Sequence, residues 1–79
     1  MGNLSKQLGA RVRALREERG MSQYDLAFAS GVNRSYIGDL ELGKRNPSLG
    51  TVERIALGLG VPAAELFREE LSDGSRSPR

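Results

Sequence analysis

Apolar residues recur at helical spacing along most of the chain, and glycine interrupts the pattern before any one helix can grow long. Leu4, Leu8, Val12 and Leu15 fall at i, i+4, i+8 and i+11, which is one face of a first helix. Gly20 follows as its cap. Ser22 is placed to cap a second helix, running from Gln23 to about Ala29. Asp25, three residues on, completes a capping-box-like pair at the positive helix end. Asn33 caps a third helix, Arg34 to about Leu42, with Ile37 and Leu40 inward, and Gly43 stops it. After the loop 43–47, Ser48 caps a fourth helix that shows Leu49, Val52, Ile55, Ala56 and Leu59 on one face. Gly60-Val61-Pro62 breaks the chain. Pro62 suits the first turn of a fifth helix, because its missing N–H would be unpaired there anyway, and Leu66 and Phe67 anchor that helix. No strand-like alternation persists. The spacing predicts an all-α domain of five helices over residues 1–71. Residues 72–79 carry nothing to bury and are expected to form a disordered tail.

Size and composition narrow what such a bundle does. A chain of 79 residues is one domain. It buries only roughly 60% of the surface its unfolded form exposes, so association with a second copy is an expected source of stability. There is no cysteine for a disulfide or thiolate site, and no histidine, so zinc and other cofactors are not expected. The N-terminal stretch is charged throughout and does not resemble a secretory leader. The weakly polar run 55–64 is broken by Gly58, Gly60 and Pro62 and is too short to span a bilayer. A cytoplasmic protein with no membrane partner is the expectation. The net charge is only +2, but it is uneven: residues 1–20 carry five bases and two acids, residues 61–73 one base and four acids. On charge alone this reads as solubility.

Residues 23–42, QYDLAFASGVNRSYIGDLEL, meet the demands of two short helices crossing over a tight turn. Ala27 is small where the backbones approach, and Gly31 takes positive φ without steric cost. Val32 closes the turn from inside, and Leu26, Ile37 and Leu40 point inward. Arg34, Ser35, Gly38 and Asp39 must then face out. Short or hydrogen-bonding side chains at the start of a helix are the kind that reach base edges in a major groove. An ordinary helical hairpin satisfies any one of these demands, and the conjunction is more specific.

The segment MSQYDLAFASGVNRSYIGDLELGKRNPS resembles the Cro/C1-type (XRE) helix-turn-helix family, over about residues 5–70. Within it, R-S-Y-I followed by E-x-G-K-R-N-P-S-L is most similar to the controller proteins of restriction–modification systems. The resemblance implies a compact five-helix, lambda-repressor-like DNA-binding domain. It implies a sequence-specific transcriptional regulator that binds a pseudo-palindromic operator as a homodimer. It also implies residue roles. Gln23 matches a phosphate-contacting glutamine, and an N–H at a helix N-terminus independently suits an anion. Arg34, Ser35 and Asp39 match base-facing positions, with Arg34 suited to guanine O6 and N7. Asp39 departs from the family's usual polar residues. It is expected either to accept from a cytosine amine or to hold Arg34. Tyr36 matches a position near the DNA backbone or the centre of the site. Lys44 and Arg45 match phosphate contacts, and Arg16 and Glu41 a structural ion pair. Arg11 and Arg13 read as a solvated face.

Two apolar features remain. Tyr24 and Phe28 stand four apart on the second helix, so they are expected to touch. They form either a local pair at the core edge or a contact for another protein such as RNA polymerase. Leu57 and Leu71 fit no inward face; with Leu66 and Phe67 they are the expected dimer interface, although scattered surface leucines are normal. No enzyme is expected. Gly58, Gly60 and Ala63 spell a nucleotide-binding pattern but follow a helix instead of a strand. Glu17-Glu18 and Glu69-Glu70 are adjacent and cannot share a helix face, and the serines sit at caps without a base. Two other functions stay open: an antitoxin-type autoregulator, which the short tail disfavours, and a protein–protein adaptor on a helix-turn-helix scaffold.

Overall fold

The computed structural model describes residues 3–68. It contains α1 (Leu4–Glu18), α2 (Gln23–Ser30), α3 (Arg34–Glu41) and α4 (Leu49–Leu59), then a 3-10 turn, Ala63–Phe67. The caps explain the boundaries. Ser22 Oγ accepts from the Asp25 N–H at 2.9 Å while Asp25 Oδ2 accepts from the Ser22 N–H at 2.8 Å, a complete capping box. Asn33 Oδ1 accepts from the Ser35 N–H at 2.8 Å and Ser48 Oγ from the Thr51 N–H at 3.2 Å. Between α2 and α3, Gly31 takes φ 72°, and the N–H groups of Gly31 and Val32 both return to the Ala27 carbonyl. That turn holds α3 against α2.

One core joins every element: Leu8, Val12 and Leu15 of α1, Leu26 of α2, Ile37 and Leu40 of α3, Val52, Ile55, Ala56 and Leu59 of α4, and Leu66 of the 3-10 turn. Removal of such side chains from water, at about 1.5–3 kcal/mol for each large one, fixes which face each helix buries. Two crossings need glycine. A Cβ on Gly9 would overlap the Leu40 carbonyl oxygen where α1 meets α3, and one on Gly58 would come within 3.0 Å of Ser30 where α4 meets α2.

The fifth helix is not α-helical. Pro62 stands before it as the N-cap, and the Glu65 N–H reaches back three residues to the Pro62 carbonyl. Arg11 Nε donates to the Glu65 carbonyl at 2.9 Å, which also accepts from the Arg68 N–H at 3.4 Å. Arg11 is therefore no solvated residue: its Nη2 also donates to Glu65 Oε1 at 2.9 Å, tying α1 to the turn. Arg13 does lie in solvent, paired with Glu17 four residues on. Leu66 is 1% exposed and belongs to the core, so it cannot serve the dimer surface it was expected to join. A 3-10 turn rotates successive side chains by a different angle from an α-helix, which carries Leu66 inward and leaves Phe67 at the rim. Leu4 and Leu49, expected in the core, are exposed at the first residues of their helices. They border a shallow apolar groove with Leu8, Pro47, Val52 and Phe67. Leu57 is 80% exposed but lies outside that groove. Leu71 and the tail 72–79 lie outside the described residues.

Candidate nucleic-acid interface

The N-terminal turns of α2 and α3 meet around an open polar cleft lined by Arg16, Gln23, Arg34, Ser35, Asp39 and Glu41. At its base is the ion pair. Arg16 Nε and Nη2 donate to the two Glu41 oxygens at 2.7 and 3.0 Å, and Arg16 Nη1 donates to the Met21 carbonyl at 2.8 Å. The two side chains are 11% and 4% exposed. The Glu41 hydrogen bond raises the Arg16 pKa above its ordinary value, against the opposing pull of burial. This pair joins the last residue of α3 to α1.

Gln23 sits on the pair. Its Nε2 donates to Glu41 Oε1 at 3.1 Å, and its Oε1 accepts from Arg34 Nη1 at 3.1 Å. The chemistry dictates this orientation. An ionised carboxylate only accepts and a guanidinium only donates, so the amide must turn its nitrogen to Glu41 and its oxygen to Arg34. The side chain that the family resemblance assigns to a phosphate thus bridges the ion pair to Arg34. Arg34 is held on a second side as well: its guanidinium carbon lies 5.2 Å from the centroid of the Tyr24 ring.

Ser35 is exposed on the outward face of α3, and Tyr36 is half-buried, with one side against the core. The other partner of Tyr36 is Arg45, whose guanidinium carbon lies 5.1 Å from the ring centroid. Arg45 Nη2 also meets Asp39 Oδ2 at 3.4 Å. Asp39 therefore pairs with Arg45 and not with Arg34, a correction to one of its expected roles. Asp39 stands more than a helical turn beyond Arg34, within reach of the loop after α3, whereas the Arg34 guanidinium turns to Gln23 and Tyr24. Lys44 is exposed in that loop, and its N–H is anchored to the Asp39 carbonyl at 3.0 Å. The structure thus brings together Gln23, Arg34, Ser35, Asp39 and Arg45, with Arg16 and Glu41 beneath. Sequence reasoning missed the Tyr24–Arg34 contact. Tyr24 was matched with Phe28 on its own helix, and nothing in a linear sequence shows that Arg34 crosses the turn to reach it.

The family model described as helix-turn-helix matches residues 12–66. The control protein C.BamHI of Bacillus amyloliquefaciens is 42% identical over 66 residues, covering 82% of this chain and 82% of that protein. The immunity repressor of Bacillus phage phi105 is 40% identical over 63 residues, 80% of this chain. The chain spans 44% of that repressor, and smaller shares of several other curated regulators. Among solved structures, the restriction–modification controller protein C.AhdI of Aeromonas hydrophila is 44% identical, with a TM-score of 0.78 over 80% of this chain and 96% of that one. The helix-turn-helix geometry and these similarities agree: the chain belongs to the XRE-type helix-turn-helix family of DNA-binding regulators.

Proposed function

We propose that this chain is a sequence-specific transcriptional regulator that reads DNA with α3, acting as a homodimer and as the controller protein of a restriction–modification system. The observation that carries the reading is Arg34. It stands in the first turn of α3 with Ser35 beside it, and Gln23 and Tyr24 fix its guanidinium. In that position it presents a planar fork suited to a guanine edge. Lys44 and Arg45 flank it as phosphate contacts. Asp39 offsets the charge of Arg45 and leaves its own second oxygen for a cytosine amine. Two copies would place their α3 helices in successive major grooves roughly 34 Å apart, on half-sites about 10 base pairs apart. No helix among the described residues is long and apolar enough to cross a membrane, which accords with action in the cytoplasm. Phe28, 92% exposed on α2 beside the interface, is the surface that would meet RNA polymerase. A pure adaptor role is less well supported, because Arg34 covers one face of the Tyr24 ring that such a patch would need.

Selection from a randomised duplex library at near-physiological salt tests this. A palindromic motif with half-sites about one turn apart is the expected result. Salt-labile binding to every sequence would leave only the phosphate contribution and remove the specific reading. On the selected site, Arg34→Ala should cost about 1–3 kcal/mol, concentrated at one base pair. Lys44→Ala should weaken all sequences alike.

A further inference from the structure

We infer that Tyr24 is a positioning residue for base recognition: its ring holds the Arg34 guanidinium by a cation–π contact and leaves N–H donors of the fork free to read DNA. This rests on Arg34 as a base reader and goes beyond it, because Tyr24 lies on α2, outside the helix that would enter the groove.

Three observations converge. First, the guanidinium carbon of Arg34 lies 5.2 Å from the Tyr24 ring centroid, within the range of a cation–π contact. Second, Gln23 Oε1 accepts only from Nη1, at 3.1 Å, so ring and amide grip the group from two directions. A guanidinium has five N–H donors in its plane and none on its faces. The ring offers no oxygen or nitrogen acceptor, so among the described residues only Nη1 has a hydrogen-bond partner, and Nε and Nη2 stay available to O6 and N7 of a guanine. Third, the Tyr24 side chain is not part of the core: the residue is 71% exposed and carries no load beyond this contact and its place on α2. Arginine is a flexible side chain, and freezing it on binding costs conformational entropy. Holding it in place beforehand reduces that loss. It also restricts the bases within reach, so the benefit falls on discrimination more than on general affinity.

The contact has a definite sign, and that makes it testable. A ring that pre-positions Arg34 strengthens specific binding. A ring that holds Arg34 away from DNA weakens it. The experiment measures full-length protein on the selected operator, on the operator with the Arg34 base pair changed, and on a random duplex, for Tyr24→Leu, Tyr24→Phe and Arg34→Ala. Tyr24→Leu keeps a sizeable apolar side chain, smaller than tyrosine, and removes the π face. It should lower the operator-to-changed-operator ratio by roughly two- to fivefold, the range of an exposed cation–π contact. Random-duplex binding should stay the same, and Tyr24→Phe should match wild type. In an Arg34→Ala background, Tyr24→Leu should change nothing further. An unchanged ratio, or tighter operator binding by Tyr24→Leu, would overturn the inference while leaving Arg34 as a reader. So would equal losses on all three duplexes for Tyr24→Phe, which would make the hydroxyl a phosphate contact. Equal losses on all three for Arg34→Ala would remove the base reader itself, and this inference with it.

Discussion

Glu41 is acidic, its side chain is nearly enclosed, and it lies beneath the surface proposed to meet DNA. Arg16 makes that placement tenable, since the two meet through paired hydrogen bonds. Such a pair adds little over an apolar pair of equal size, but breaking it leaves an uncompensated buried charge. Glu41→Gln should therefore destabilise the fold by about 3–5 kcal/mol in urea titration. The joint replacement Arg16→Met with Glu41→Leu should cost clearly less. A small loss for the single change would mean that the pair is well solvated. Gln23 links the ion pair to Arg34. Only a side chain with both donor and acceptor satisfies Glu41 and Arg34 together, so Gln23→Glu keeps an acceptor for Arg34 but sets two carboxylates against each other.

Between elements, the close crossings decide which substitutions are tolerated. Alanine is worth about 1 kcal/mol over glycine inside a helix. Gly9→Ala should nevertheless destabilise, because its methyl would overlap the Leu40 carbonyl and push α3 off α1. Gly50→Ala, in the first turn of α4 with only Ser48 Oγ nearby at 3.9 Å, should be neutral or stabilise by about 0.5 kcal/mol. Thermal unfolding of the two variants with opposite shifts is the expected result; matching shifts would mean that the α1–α3 crossing relaxes. The clasp between Arg11 and Glu65 is sensitive to pH. The Arg11 hydrogen bond, with a smaller one from Arg68, holds the Glu65 carboxyl below its ordinary value of 4.5. A lowered folded pKa means that the stabilisation is complete above the unfolded value. It is lost as pH falls through the folded one. Stability should thus decline in acid below about pH 4.5, and Arg11→Ala should flatten that decline. An identical acid limb in wild type and variant would show that other carboxylates cause it.

For the whole molecule, the proposed homodimer needs an exposed surface through which two copies meet. Apart from Tyr24, Phe28 and Leu42, the exposed large apolar residues among the described ones form two separate features: Leu57 on α4, and the groove where Leu4, Leu49 and Phe67 meet. If the two-fold axis passes by Leu57, Leu57→Glu places like charges across it twice and should weaken the dimer at least about tenfold by sedimentation. The monomer's own stability should shift by less than about 0.5 kcal/mol, because the residue is outside the core. An unchanged dimer would direct attention to the groove. Much of this architecture was legible beforehand. Helical spacing, the Ser22, Asn33 and Ser48 caps and Gly31 specify local geometry, and local geometry needs only neighbours in sequence. The motif 23–42 and its outward row of Arg34, Ser35 and Asp39 follow from that period. What only the tertiary structure decided are contacts between side chains far apart in the chain: Arg11 on Glu65, Tyr24 on Arg34, Arg45 on Tyr36 and Asp39. The same holds for the burial of Leu66 and the exposure of Leu4 and Leu49. Periodicity tells which way a residue points along its own helix. Whether another helix stands there to cover it, or a long arginine bends to meet it, depends on how the helices cross.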